Sequence, residues 1–165
     1  MDLIPHSPLT IGQQANYAAD QTAQQRYTKK KAPNTKRRQV ADLALFARYL
    51  AECRYPYPME SFCALLKSEQ DLTPCWYVWE DITHGLVEGF VLWQESKGYA
   101  IGSINVRLST IKTYCSLARR AGVLSQSEFF EIKEIATTSH KDGRNIEDAR
   151  LVGHRRLEGL RHSGQ

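Results

Sequence analysis

Between residues 103 and 122 the apolar residues Ile104, Leu108, Ile111, Cys115 and Ala118 recur at alternating four- and three-residue spacing, which is the period of a helix with one buried face. Ser103 stands where such a helix begins and Gly122 where it stops. A single stripe of this kind buries itself only against other elements, so the chain must supply further helices or a sheet for it to lie on. The opposite side of the same helix is polar and basic. Asn105, Arg107, Ser109, Lys112, Ser116 and Arg119 lie off the stripe, a mixture able to donate hydrogen bonds both to phosphates and to base edges.

The partners are helices. Val40, Leu43, Ala44, Ala47, Leu50 and Ala51 follow i, i+3, i+4, i+7 spacing and predict a helix of about 17 residues, with Phe46 and Cys53 beside the stripe. Pro33 disfavours helix before it, and Asn34 or Thr35 is expected to cap the new one. The run Arg54-Tyr55-Pro56-Tyr57-Pro58 ends it, because two prolines at alternate positions impose extended backbone. Residues 59–67 carry Phe62, Leu65 and Leu66 and fit a short helix, and the Trp- and Tyr-rich residues 74–79 return to the core. Thr83 is placed to cap a third helix bearing Leu86, Val87, Phe90, Val91 and Gln94 and closed by Gly98. Ser127 is expected to cap a last short helix, whose Phe129 and Phe130 close the bundle alongside Ile132 and Ile135. With no strand signal, the fold class is all-α, a compact bundle of four to five helices. Residues 1–27 are Gln- and Ala-rich with little apolar periodicity and are expected to form a flexible arm, or a weak helix that needs a partner to order it, without a role in the fold. Residues 28–138 form the helical domain. Residues 139–165 lack aromatic side chains and intersperse glycines with charges, as a linker would.

Composition narrows the function classes. A hydrophobic share of 42% and a charged share of 24% allow a modest core and argue against wholesale disorder. No run of about 18 apolar residues occurs, and the first residues lack the pattern of a signal peptide, so a cytoplasmic protein is expected. Cys53, Cys63, Cys75 and Cys115 form no C-x-x-C pair and have no clustered histidines; they are read as reduced core thiols, with no metal and no cofactor. The net charge is only +4, yet between residues 26 and 38 stand Arg26, Lys29, Lys30, Lys31, Lys36, Arg37 and Arg38 with no acidic residue among them. The rest of the chain is therefore net negative by about three charges, and the positive potential is concentrated in one stretch.

Two stretches carry a resemblance. Asn34-Thr35-Lys36-Arg37-Arg38, opening a helix that continues as DLALFARYL, resembles the first helix of the core-binding domain of tyrosine-type site-specific recombinases, the phage-integrase family. ITHGLVEGFVLWQESKGYAIGSINVRLSTIKTYCSLARRAGVL is similar to the same family's helix, G-Y-A/S turn and helix reading I-N-x-R-L-S-x-I-x-x-Y. Together the matches cover roughly residues 28–135, in the family's order; residues 54–81 are longer than the connector of short members. The resemblance implies a SAM-like bundle that forms one half of a C-shaped clamp on double-stranded DNA, with two helices near the major groove, and association with other recombinase protomers in a synaptic complex. It implies phosphate contacts at Lys36, Arg37 and Arg38 and groove contacts at Asn105, Arg107, Lys112 and Thr113. These residue types suit the task, since a basic helix start aims charge and N–H groups in one direction.

The family's catalysis requires an arginine, a lysine, an H-x-x-R box, a further histidine or tryptophan and a tyrosine nucleophile near the C-terminus. The last tyrosine here is Tyr114, inside the helix read above, and His154-Arg155-Arg156-Leu157 places leucine where the box needs arginine. The expectation is a DNA grip without strand cleavage, the catalytic half lying in an absent C-terminal domain. Two other readings fit the residues: a free-standing helical DNA-binding regulator, and a protein-interaction bundle whose basic stretch meets an acidic partner. Phosphate-loop, dinucleotide and H-E-x-x-H motifs are absent from the sequence. Tyr55, Tyr57, Trp76, Tyr77 and Trp79 fit core plugs around a Pro-rich connector better than a single-strand stacking platform.

Overall fold

The computed structural model describes residues 8–57 and 76–139. The expected helix at 59–67, Cys63, Cys75, the linker beyond Ser139 and the His154–Leu157 motif lie outside the described residues. Within them the chain is all-helical, a small bundle without strands. Its elements are α1 (Ile11–Lys29), α2 (Pro33–Glu52), a 3₁₀ turn (Trp76–Trp79), α3 (His84–Lys97), α4 (Ile101–Arg120) and α5 (Gln126–Lys133). No helix among the described residues is long and apolar enough to cross a membrane.

Helix α4 is the hub, touching α1, α2, α3, α5 and the 3₁₀ turn. Its stripe residues Ile104, Leu108, Ile111, Cys115 and Ala118 are all buried, joined by Tyr114 and Leu117. The helix starts two residues before Ser103, with Ala100 as an N-cap that makes no side-chain bond. At its other end Gly122 adopts φ +81°, the left-handed turn that a glycine enters without a Cβ penalty. Burial raises the pKa of the Cys115 thiol and keeps it protonated and inert. Cys53, expected in the core, is exposed instead, because it falls on the C-cap of α2, beyond the buried stripe.

Aromatic residues of α2, α3, α4 and the 3₁₀ turn form one connected core. Phe46 of α2 packs on Phe90 of α3 with ring centroids 5.0 Å apart, and stacks on Trp79 at 6.1 Å; Trp79 in turn stacks on Tyr114 at 6.1 Å. The Pro-rich connector is tied back by Tyr55, whose hydroxyl donates to the Val78 carbonyl at 2.8 Å. Thus Trp76 and Trp79 are buried as expected of core plugs, with Val78 between them, whereas Tyr77, read in the same way, is 46% exposed.

Local starts and stops follow the residues with three corrections. Helix α2 begins at Pro33 in the first helical position, where its fixed φ and missing N–H cost nothing, so Asn34 and Thr35 lie inside the helix and cap nothing. It ends in a 6→1 turn, Tyr55 N–H to Leu50 O at 2.9 Å, with Arg54 held at φ 62°. Helix α3 is capped by Thr83, whose side chain accepts from Leu86 N–H, and closed by Gly98 at φ 81°, both as the sequence reads. Helix α5 is capped by Ser125 rather than Ser127. Phe130, expected to close the bundle, is 58% exposed, and Ile132 and Ile135 take the buried positions.

The largest departure is α1. Of the two states the sequence allows for this stretch, arm or helix ordered by a partner, residues 11–27 take the second, but with the role in the fold that the sequence denies them: they form most of a helix of 19 residues started by a reciprocal capping box, in which Thr10 Oγ1 accepts from Gln13 N–H at 3.2 Å and Gln13 Oε1 accepts from Thr10 N–H at 2.9 Å. Its second half docks. Ala23 and Gln24 are buried, and the Tyr27 ring meets Tyr114 edge-on with centroids 6.1 Å apart. Gln39 of α2 bridges the two tyrosines, donating to the Tyr27 hydroxyl at 2.5 Å and accepting from that of Tyr114 at 3.3 Å. A conventional apolar stripe is not what holds this helix, which explains why periodicity passes over it.

Candidate nucleic-acid interface

Folding divides the basic run among three places. Arg26 and Lys29 sit in the last turn of α1 and Lys30 caps it; Lys31 occupies the corner, its ammonium 4.8 Å from the centre of the Tyr27 ring; Lys36, Arg37 and Arg38 lie in the first two turns of α2. Cations at the end of α1 complement its dipole and need no ligand to explain them. Those on α2 stand toward the opposite pole, with no acidic residue in the first turn to offset them, an arrangement that an anion would relieve. Lys36 is half-buried, while Arg37 and Arg38 are exposed.

Arg38 is linked to α4. Its Nε lies 3.8 Å from an Asp42 carboxylate oxygen that also accepts from the Thr110 hydroxyl at 2.7 Å. Asp42 is buried, so this bond orients it and thereby Arg38 beside the α4 surface. On that surface Gly102, Val106 and Ser109 are exposed, and a Cβ added at Gly102 would meet nothing within 4 Å. A second surface approaches this side from α1. Arg26, Tyr27 and Lys30 form one wall of a groove of about 500 Å³ whose other wall is Thr113, Ser116 and Arg120 of α4.

The four α4 residues expected at the DNA groove have separate positions. Thr113 lines the α1–α4 groove, its hydroxyl donating to the Ser109 carbonyl at 3.0 Å. Asn105 clasps the peptide of Thr138, donating to its carbonyl and accepting from its N–H, both at 2.9 Å. Lys112 donates to the Ile135 carbonyl at 2.5 Å, and partial burial lowers its pKa against the opposing pull of Glu134. Both side chains thus hold the segment that follows α5, with Glu95 adding a bond from the Thr138 hydroxyl at 3.1 Å. Arg107, two residues and about 200° round the helix from Asn105, reaches Gln94 of α3 at 3.2 Å and lies over the Tyr99 ring at 4.6 Å. Gln94 is completely buried; its amide nitrogen donates to the Phe90 carbonyl at 3.4 Å, and Arg107 supplies the donor for its amide oxygen.

The structure therefore gathers Thr113 with the cations of α1, brings Arg38 to α4, and directs Asn105, Lys112 and Arg107 into contacts within the protein. The groove cations Arg26 and Lys30 belong to the basic run and Ser116 to the polar face of α4, but sequence reasoning gives Arg26 and Lys30 no contact of their own and passes over Arg120. The sequence signal that reveals them is the T-x-x-Q start of α1, Thr10 to Gln13, which makes residues 26 and 30 neighbours on one helical face. Comparison of the chain with known protein families, curated proteins and solved structures finds no match in any of the three.

Proposed function

We propose that this chain binds double-stranded DNA as the core-binding module of a tyrosine-type site-specific recombinase acting in the cytoplasm, gripping the duplex without cutting it and meeting other recombinase protomers on the DNA. The observation that supports this reading most is the α1–α2 corner. Seven cations without an intervening acid are distributed over that corner, two of them, Arg26 and Lys30, facing Thr113 and Ser116 of α4 across a groove, and Arg38 joined to Thr110 of α4 through Asp42. Phosphate neutralisation supplies affinity, and small polar side chains on a helix allow close approach to base edges. Strand cleavage is assigned to a C-terminal catalytic domain, where the family resemblance locates the nucleophilic tyrosine.

Fluorescence anisotropy with a labelled duplex tests the proposal. Binding is expected to weaken linearly in log affinity against log salt, and Lys36→Ala/Arg37→Ala/Arg38→Ala is expected to flatten that slope by about 2–3, near one per lost phosphate contact. A folded chain with no salt-sensitive binding at low ionic strength would overturn the reading and leave the protein-interaction bundle.

A further inference from the structure

Helix α1 does more than complete the bundle, because its docked half builds one wall of the groove facing Thr113, Ser116 and Arg120. The groove is open, and apolar Ala19, Ala23 and Leu117 line it together with the cations and hydroxyls. Among the described residues no carboxylate lines it, although Asp20 sits nearby and accepts from Arg120 Nε at 2.9 Å. Both members of that ion pair are about one-third exposed, 32% for Arg120 and 38% for Asp20. A pair so placed is weak and readily exchanged for a better anion, and a phosphate that accepts two parallel bonds is a better one for arginine.

Resting on the DNA reading, we propose that the α1–α4 groove is a dedicated phosphate-binding cleft for the duplex backbone, separate from the start of α2. Arg26 in the last turn of α1 and Lys30 at its C-cap supply charge from one side; Arg120 supplies it from the other, and the Ser116 hydroxyl stands between as a donor beside Thr113. Asp20 is an internal counter-ion that occupies Arg120 until phosphate displaces it. Lys30 has no carboxylate partner among the described residues and is exposed, so its charge has no structural use that competes with this one. Arg26 is steered by a bond from its guanidinium to the Ala19 carbonyl at 2.9 Å, which draws it back along α1 on the groove side.

The test uses the full chain and a fluorescent duplex titrated at several salt concentrations. Arg26→Ala/Lys30→Ala is expected to weaken binding at least tenfold at low salt and to flatten the log–log salt slope by about 2. Asp20→Asn is expected to tighten binding two- to fivefold, the opposite of what a purely structural role for the ion pair would give. Lys97→Ala/Lys133→Ala, which removes the same charge from α3 and α5, is the control and is expected to change the slope by much less. Lys30→Ala alone serves if the double variant melts early. If the wild type binds and the groove variants behave like the control, the cleft is overturned while DNA binding through α2 stands. If the wild type does not bind duplex DNA, the DNA reading fails and the cleft fails with it.

Discussion

Gly89 stands in the interior of α3, where glycine weakens a helix, because the Tyr49 side chain of α2 crosses at that point: a Cβ on residue 89 would overlap the Tyr49 hydroxyl. Tyr49 is buried, and that burial raises its pKa, so the hydroxyl stays neutral and in place. Gly89→Ala gains about 1 kcal/mol of helix propensity and loses about 1–3 kcal/mol to the clash, so a net destabilisation of up to about 2 kcal/mol is expected in urea unfolding. In a Tyr49→Phe background the nearest remaining ring atom is 3.4 Å from the added Cβ, an ordinary contact, so the same substitution is expected to be neutral or stabilising. Additive losses in the double variant would show that Gly89 is not there to admit Tyr49. Single residues of this kind, like Arg107 beneath the buried Gln94 or Asn105 on the Thr138 peptide, are poorly legible in sequence. Their polar side chains have the composition of a binding face, and only the fold shows that protein groups already hold their bonds.

Among elements, legibility follows the length and regularity of the buried stripe. Helices α3 and α4 read correctly in their apolar positions because nearly every stripe residue goes to the core, and Thr83, Gly98 and Gly122 mark ends by chemistry that acts locally. Helix α5 is short and offers two serines as caps, of which Ser125 is the one whose side chain accepts from the Glu128 N–H. Glu128, in its first turn, turns outward to α3, accepting from the His84 backbone N–H at 2.5 Å and lying 2.7 Å from His84 Nδ1. The bond to Glu128 raises the His84 pKa, supported by the charges of Glu131 and Glu88, while bonds from His84 lower that of Glu128. A raised histidine contributes stability that is complete below its unfolded value near 6.5 and is lost as pH climbs through the folded value. A lowered carboxylate contributes above its unfolded value near 4.5 and loses that contribution as pH falls through the folded one. The latch between α3 and α5 is therefore strongest between roughly pH 4.5 and 6.5. In melting curves across pH, the gap between wild type and Glu128→Gln is expected to be widest there and to narrow above neutrality without closing, since the backbone bond remains. A gap independent of pH would show that the imidazole takes no part.

At the scale of the whole molecule the question is where the domain begins. The sequence places the boundary near residue 28, since Gln- and Ala-rich segments bury too little apolar surface to order themselves. The structure instead carries the core back to Ala23, through contacts that hydrophobic patterning does not register: one alanine, one tyrosine and a shared amide. Tyr27 is the quantity that decides between the two. If α1 is integral, Tyr27→Ala removes an edge-on aromatic contact worth about 0.5–1.5 kcal/mol and a hydrogen bond worth about 1 kcal/mol, and leaves the buried Gln39 amide short of a partner at a further 1–3 kcal/mol. A loss of about 2.5–5.5 kcal/mol in chemical unfolding is expected, with part of it recovered in Tyr27→Phe, which keeps the ring against Tyr114 and forfeits only the bond to Gln39. A segment that merely trails the bundle would leave both variants within about 0.5 kcal/mol of wild type. The same pair of variants bears on binding, because a loosened α1 carries Arg26 and Lys30 away from Thr113 and Arg120. Tyr27→Ala is accordingly expected to weaken duplex binding more than Tyr27→Phe although neither changes a charge, and equal binding by the two would separate the wall of the groove from its function.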